Sequence, residues 1–292
     1  MTTKEKVYRL CYLFFPAWLD VRLRKIIDYW TNPIWKEYRK NKPRLFEKNI
    51  KFKDIHKGKR CFIVCNGPSI AQQDLTKLKN EIVFSVSQGY HHKDYKIYKP
   101  RYHCIPQVTY GKVTHEDVIR WFQEMDEEIG EAELFLNYTE DSLVAKNNLF
   151  SAREVNYVCL GSQFGKDFDN TGMPDITDII PGVRSVPIMC LMIALYMGFS
   201  EIYLLGVEHD PFRKNEYKYF FDKGILQDKQ KEVSSTGEIT TPMYYILKNQ
   251  AELRAQYRAI KAIADHHKIK IFNATDGGAL DEFPRVKFEE LF

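Results

Sequence analysis

Several common signatures are missing from the chain, and each absence narrows its function. Neither a G-x-x-x-x-G-K-[ST] loop nor a G-x-G-x-x-G fingerprint occurs in the 292 residues, which argues against kinase-type NTPases and nicotinamide enzymes. No C-x-x-C pair occurs either. The six cysteines, at 11, 61, 65, 104, 159 and 190, sit in apolar stretches and read as reduced core thiols in a reducing compartment, not as a disulfide framework or a zinc site. His91, His92 and His103 lack the helical or hairpin spacing of metal ligands. The apolar run from Leu10 to Leu19 is too short to span a bilayer, contains Pro16 and is not followed by a small-residue cleavage site, so neither a transmembrane helix nor a signal peptide is expected. Internal repeats and low-complexity tracts are also missing.

What is present starts with charge. The net charge of +4 is unevenly distributed: residues 1–60 carry +11 and residues 61–292 carry −7. Within residues 4–35 a helical stripe of Val7, Leu10, Cys11, Phe14, Trp18, Leu19, Leu23, Ile26, Ile27 and Trp30 is bordered by Lys4, Lys6, Arg9, Arg22, Arg24 and Lys25. Two uses fit such a basic amphipathic arm: lying in an anionic membrane interface, or packing on the main domain or a second subunit of a homo-oligomer. Residues 36–60 read as a linker. The expected division is therefore an arm and linker over 1–59 and one domain over 60–292. Nucleic acid is not indicated, because no reading motif accompanies the basic charge.

The domain is organised around Arg60 to Ile70. Five apolar residues rich in β-formers predict a buried strand, and Asn66-Gly67-Pro68-Ser69 predicts a sharp turn, with Ser69 capping a helix over Ile70–Lys79. A helix start at the carboxyl end of a parallel strand presents free N–H groups to an anion, most often a phosphate. Gly67 would allow close approach, and Asn66 and Ser69 would add hydrogen bonds. An ordinary turn without a ligand is the other reading.

Further strands are predicted at Glu81–Val86, Tyr102–Ile105, Ala132–Leu136, Val155–Leu160, Glu201–Leu205 and Ile269–Phe272, and helices at Asp117–Ile129, Ile188–Met197 and Tyr244–His267. Alternating strands and helices of this kind make a mainly parallel α/β sheet covered on both faces. The apolar helix after Gly182-Val183-Arg184-Ser185-Val186-Pro187 reads as a core crossover, and its start at Arg184 and Ser185 is a second candidate phosphate cradle. The strand Glu201–Leu205 leads into Gly206-Val207-Glu208-His209-Asp210, where open α/β sheets bind ligands. His209, between two carboxylates expected to raise its pKa, is the candidate general base. Asn273 and Thr275, past the last strand, are expected to face the same crevice. The polar stretch from about 208 to 241, carrying Tyr217 and Tyr219, reads as a lid. Asp167-Phe168-Asp169 has the D-x-D form that can hold a divalent cation on a diphosphate.

Two blocks carry a family resemblance. Ile63-Val64-Cys65-Asn66-Gly67-Pro68-Ser69-Ile70 and Met189-Cys190 through Gly198-Phe199 to Glu201-Ile202-Tyr203-Leu204-Leu205-Gly206-Val207-Glu208 resemble the bacterial sialyltransferases that decorate lipooligosaccharide. With Arg184-Ser185-Val186 added, they also resemble the related Rossmann group that includes archaeal hydroxymethylpterin diphosphokinases and flagellin glycosylation proteins. The resemblance implies a Rossmann-like domain with a lid and a cytoplasmic enzyme peripheral to the inner face of the membrane. It would use a CMP-sugar as donor and a glycan or glycolipid as acceptor, with no metal and no other cofactor. Asn66, Gly67, Pro68, Ser69 and Ser185 would hold CMP, and Tyr217 or Tyr219 would stabilise the departing phosphate. This chain has Ser87-Gln88 where the family has an asparagine, and Lys248 where the family has its general-base histidine. The functional expectation is transfer of a sialic or other nonulosonic acid from a CMP-sugar to a surface glycan. Nucleotide-binding positions would be Asn66, Gly67, Pro68, Ser69, Ser87, Gln88, Arg184, Ser185, Gly206, Glu208 and Asn273. The alternatives are Mg-dependent diphosphokinase-like transfer from ATP, or nucleotide binding without catalysis.

Overall fold

The computed structural model describes residues 33–109, 113–163, 172–214, 219–221 and 242–292. The amphipathic stripe up to Trp30, the Asp167-Phe168-Asp169 triplet, Tyr217 and most of the 208–241 stretch lie outside the described residues.

Eight strands form one sheet: β1 (Arg60–Val64), β2 (Val83–Val86), β3 (Tyr102–Ile105), β4 (Glu133–Asn137), β5 (Val155–Gln163), β6 (Ile179–Gly182), β7 (Glu201–Leu205) and β8 (Lys270–Asn273). Their order is β6-β5-β4-β3-β2-β1-β7-β8, and every neighbouring pair is parallel. A wholly parallel sheet must be covered on both faces, which is why its strands are apolar on both sides. One face packs on α1 (Pro33–Asn41), α2 (His115–Glu128) and the chain's last turn. The other packs on α3 (Val186–Tyr196) and α4 (Met243–His266). This is the doubly covered, Rossmann-like α/β architecture expected from the sequence. The chain runs outward from β1 to β6 and returns through α3 to place β7 on the other side of β1. The strand order therefore reverses between β1 and β7, the position where such sheets bind ligands.

The central helix α3 has no polar face because it has no solvent side: Pro187 through Tyr196 are all buried between the sheet and α4. Pro187 is accommodated in its first turn, where the missing N–H is not needed. Its far end stops at Gly198, whose φ of +82° is a left-handed conformation that costs other residues energy.

The structure corrects three readings. Ile70–Lys79 is not one helix but two 3₁₀ turns, Pro68–Gln72 and Leu75–Asn80. Gly67, not Ser69, caps the first, and Asp74 accepts the Thr76 N–H at 3.1 Å to start the second. The short polar side chain of Asp74 offers the backbone a local bond that competes with a continuous helix. Residues 36–59 are not a linker. Tyr38, Leu45, Phe46, Asn49, Phe52 and His56 are all buried, and the Asn49 amide donates to Tyr157 O and Ile176 O. The N–H groups of Asp54, His56 and Gly58 cap the carbonyls of Tyr196, Met197 and Gly198 at the end of α3. The lysines that made this stretch read as solvated are spaced between its anchors. Finally, β6 has only four residues, one of them Pro181, and little sequence signal; it is tolerated because it forms the sheet edge.

Gly198 ties these pieces together, because a Cβ there would sit 3.2 Å from the backbone of both Asp54 and Lys57. Gly198→Ala is therefore expected to lower the unfolding free energy by about 2 kcal/mol, combining the left-handed penalty with displacement of the cap. Chemical denaturation would measure it, and an unchanged midpoint would contradict the capping role.

Candidate functional site

At the carboxyl edge, the turns after β1 and β7 meet. Gly206 has φ +66°, and a Cβ on it would lie 2.6 Å from Cys65 O, so the two turns touch through backbone. Glu208 is almost wholly buried here, and its Oε1 accepts the Ser69 N–H at 2.7 Å. A Cβ on Gly67 would fall 1.5 Å from Glu208 Oε2. Gly67 is thus small to admit the chain's own carboxylate. The Ser69 N–H, expected from the sequence to face a phosphate, is taken by the chain's own Glu208 carboxyl group. Burial raises the pKa of Glu208 and the contacts with Ser69 pull it down, leaving it raised overall. A loop closes the corner from above, with the Ala279 N–H donating to Glu208 O at 2.6 Å.

Three side-chain oxygens at this corner are buried without a hydrogen-bond partner: Glu208 Oε2, Asn66 Oδ1 and the Ser69 hydroxyl. Asn66 is oriented by donating its amide to Val86 O at 3.3 Å, and its own carbonyl receives the Phe220 N–H at 3.1 Å. Phe220 and Phe221 rest on His92 and His91, with ring centroids 5.3 and 5.5 Å apart. Tyr219 is half-buried and stacks on Phe221. Beside Asn66, the chain leaves β2 through Ser87, held at φ +48°, and the buried Gln88.

His209 is enclosed by the fold. It is buried at φ +46°, its Nε2 is 2.8 Å from Tyr257 OH, and its pKa is lowered to about 3 by burial and secondarily by Arg254. The expected upward shift is corrected, because burial disfavours the charged ring and Arg254 disfavours it further. Asn273 is fully buried and serves the fold: its amide donates to Leu280 O and its Oδ1 accepts the Thr275 N–H. Thr275 in turn accepts the Val207 N–H. Lys248 is exposed near the start of α4.

Further along the same edge lies a cleft of about 420 Å³, lined by Pro106 and Gln107 after β3, Leu160 and Gly161 of β5, and Gly182, Val183, Arg184 and Ser185 leading into α3. The Asn66–Ser69 turn is not among its described lining residues. Ser185 is the N-cap of α3, and its side chain makes no capping hydrogen bond. The cleft therefore opens onto the start of an eleven-residue buried helix. Arg184 pairs with Glu252 of α4, and its N–H donates to the buried Gln256, which also donates to Gly182 O at 2.9 Å. On the far wall the buried Glu140 accepts Val108 N–H and Thr109 Oγ1, fixing the loop that carries Pro106 and Gln107. Sequence reasoning passed over Gln256, Glu252, Glu140 and Gln107. The only available signal was Gln256 at a position of the last helix otherwise occupied by Leu253, Tyr257 and Ile260.

The buried histidines give the molecule a pH dependence. Burial lowers His56 to about 4, His103 to about 3, His209 to about 3, and His92 in the same direction. Below pH 6.5 the unfolded chain binds protons that the folded chain does not, so stability present above that pH is lost as it falls toward 4. The unfolding free energy at pH 5 is expected to be lower than at pH 7.5 by up to about 2 kcal/mol per fully buried histidine. The raised pKa of Glu208 offsets part of this. Equal stability at the two pH values in urea titrations would contradict neutral burial.

No protein-family model and no curated protein matches the chain. Three solved chains are similar to it in backbone path. The MAf glycosyltransferase of Magnetospirillum magneticum AMB-1 is 16% identical over 82% of this chain with a TM-score of 0.45, and this chain spans only 35% of its length. The sialyltransferase CST-II, in a tyrosine-to-phenylalanine form with CMP, is 16% identical over 74% of this chain and 80% of its own, with a TM-score of 0.41. CST-II with a trisaccharide acceptor and CMP is 17% identical over 78% and 86%, with a TM-score of 0.33.

Proposed function

We propose that the protein is a glycosyltransferase that takes a sialic or other nonulosonic acid from a CMP-sugar and transfers it to a glycan acceptor. The observation that carries the reading is the cleft at the start of α3, where Ser185 leaves its hydroxyl uncommitted and Arg184 stands beside it. A nucleotide phosphate suits that position, because the start of a buried helix and a hydroxyl favour negative charge and the Arg184 guanidinium, paired with Glu252, stands beside them. The motif resemblance at Asn66–Ile70 and at Glu201–Glu208 supports the same reading.

The two ends of the carboxyl edge divide the ligand between them. The corner at Asn66 and Glu208 offers two unpartnered acceptors beside the Ser69 hydroxyl, so it suits a group that both donates and accepts, such as a ribose diol. The phosphate belongs at Ser185. In the reaction an acceptor hydroxyl attacks the oxocarbenium-like anomeric carbon while the α3 start, Arg184 and Tyr217 or Tyr219 stabilise the departing phosphate. The chemistry is proposed to need no metal. The N-terminal arm up to residue 35 is proposed to hold the enzyme at the inner face of the membrane near its acceptor. Among the described residues no helix is long and apolar enough to cross a bilayer.

Thermal-shift measurements with CMP, CDP, UDP and ATP, each with and without Mg²⁺, test the donor class. Stabilisation by CMP that ignores the metal is expected; a response confined to ATP with Mg²⁺ would replace transfer of a sugar by transfer of a diphosphoryl group. Arg184→Ala and Ser185→Ala are each expected to weaken CMP binding by about tenfold. Because Ser185 makes no capping bond, its replacement is expected to leave the melting temperature nearly unchanged, and calorimetry showing unaltered CMP affinity in both variants would remove the phosphate from this position.

A further inference from the structure

A polar chain crosses the apolar interior beneath the corner at Asn66. Ser85 of β2 and His103 of β3 are register partners in the sheet, and both are fully buried. They lie on the face packed with Tyr90, Tyr95 and Ile105, where two aliphatic side chains would bury more favourably. Their hydrogen bonds run in one direction. The Nε2 of His103 is 2.9 Å from Ser87 O, and a carbonyl can only accept, so Nε2 carries the proton. Nδ1 of the neutral ring is then an acceptor, filled by the Ser85 hydroxyl at 2.6 Å. The Oγ of Ser85 lies also 3.3 Å from Tyr95 OH and 3.4 Å from Tyr102 O, and Tyr95 OH stands 3.5 Å from Nδ1.

The end of this chain is the notable part. Ser87 has φ +48°, a left-handed conformation unfavourable for a serine, at the residue where β2 ends. Its N–H is held by Cys104 O at 3.3 Å and its carbonyl by His103. The peptide so fixed is flanked by Val86 O, which takes the Asn66 amide, and by Gly89, where a Cβ would sit 3.4 Å from Asn66 Oδ1. The orphaned Asn66 acceptor is therefore aimed by the same turn that His103 restrains.

We propose that His103 is a positioning residue: held as its Nε2–H tautomer by the Ser87 carbonyl and braced at Nδ1 by Ser85, it holds Ser87 left-handed and so keeps the Ser87–Gln88 turn and Asn66 in the shape that receives the nucleoside half of the ligand. The identity of that ligand rests on the nucleotide reading above; the relay itself does not. Two buried polar residues are thereby retained in an apolar face for the geometry they impose at its edge.

Three measurements decide it. In ¹⁵N-histidine spectra of the full chain, His103 is expected as a neutral Nε2–H ring that does not titrate down to pH 5; an Nδ1–H tautomer, or titration near 6.5, would overturn the relay. Ser85→Ala removes the hydroxyl that braces Nδ1 and leaves the more distant Tyr95 hydroxyl beside it. The amide resonances of Ser87, Gln88 and Gly89 and the side-chain amide of Asn66 are expected to shift in that variant, and unmoved resonances would overturn the proposal. For ligand binding, His103→Ala is expected to weaken CMP at least about tenfold, whereas His103→Gln, whose amide can both donate and accept, stays within about threefold. Adding Ser87→Gly to His103→Ala is expected to recover most of the loss, because glycine holds a positive φ unaided. Equal affinity in the alanine and glutamine variants would reduce His103 to a packing role. If the wild type binds none of the nucleotides tested, the functional reading fails, while the tautomer and the Ser85→Ala resonances still judge the relay.

Discussion

The fold depends on the enclosure of α3. A helix whose residues from Pro187 to Tyr196 are all buried can exist only with the sheet on one side and α4 on the other, and its backbone ends must be satisfied without water. Gly198 and the 54–58 turn satisfy the carboxyl end with three backbone bonds. The amino end is finished differently, through Ser185, Gln256 and the cleft. The most apolar element of the chain thus has one sealed end and one end left polar and accessible. That asymmetry places the cleft at the carboxyl edge.

The strand reversal between β1 and β7 produces a second special place, and its chemistry is the opposite. There the Ser69 N–H is committed to Glu208, and the uncommitted atoms are two acceptors, Asn66 Oδ1 and Glu208 Oε2, and the Ser69 hydroxyl. Desolvation governs both Glu208 and His209, raising the acid and lowering the base, so each leans toward its neutral form. Beside this corner the His103 ring meets Ser87 O at 2.9 Å and Ser87 is left-handed, so its edge has a defined shape.

Much of the architecture could be read from the residues. The apolar β-former runs at 61–65 and 201–205, the helix of Ile188–Met197 and the turns punctuated by Gly and Pro place seven of the eight strands and the crossover. Residues 36–59 misled because lysines dominate the composition while a few anchors, Phe46, Asn49, Phe52 and His56, do the packing. Position 69 misled for a different reason: a serine after Asn-Gly-Pro has capping chemistry, but the backbone of Gly67 took the cap and a residue 139 positions away took the N–H.

The sequence alone determined the parallel α/β class, the order of most elements and the turns at which ligands could bind, because these follow from local periodicity and from where glycine and proline interrupt it. Tertiary structure alone decided which of those turns stays available. Whether a helix start meets a phosphate or a carboxylate of its own chain, and whether a histidine is a base or a buried strut, depends on contacts between residues far apart in sequence. Glu208 against Ser69, His209 against Tyr257 and His103 against Ser87 are such contacts. Burial then fixes their charge, and no residue pattern along the chain encodes the depth to which a side chain will be desolvated.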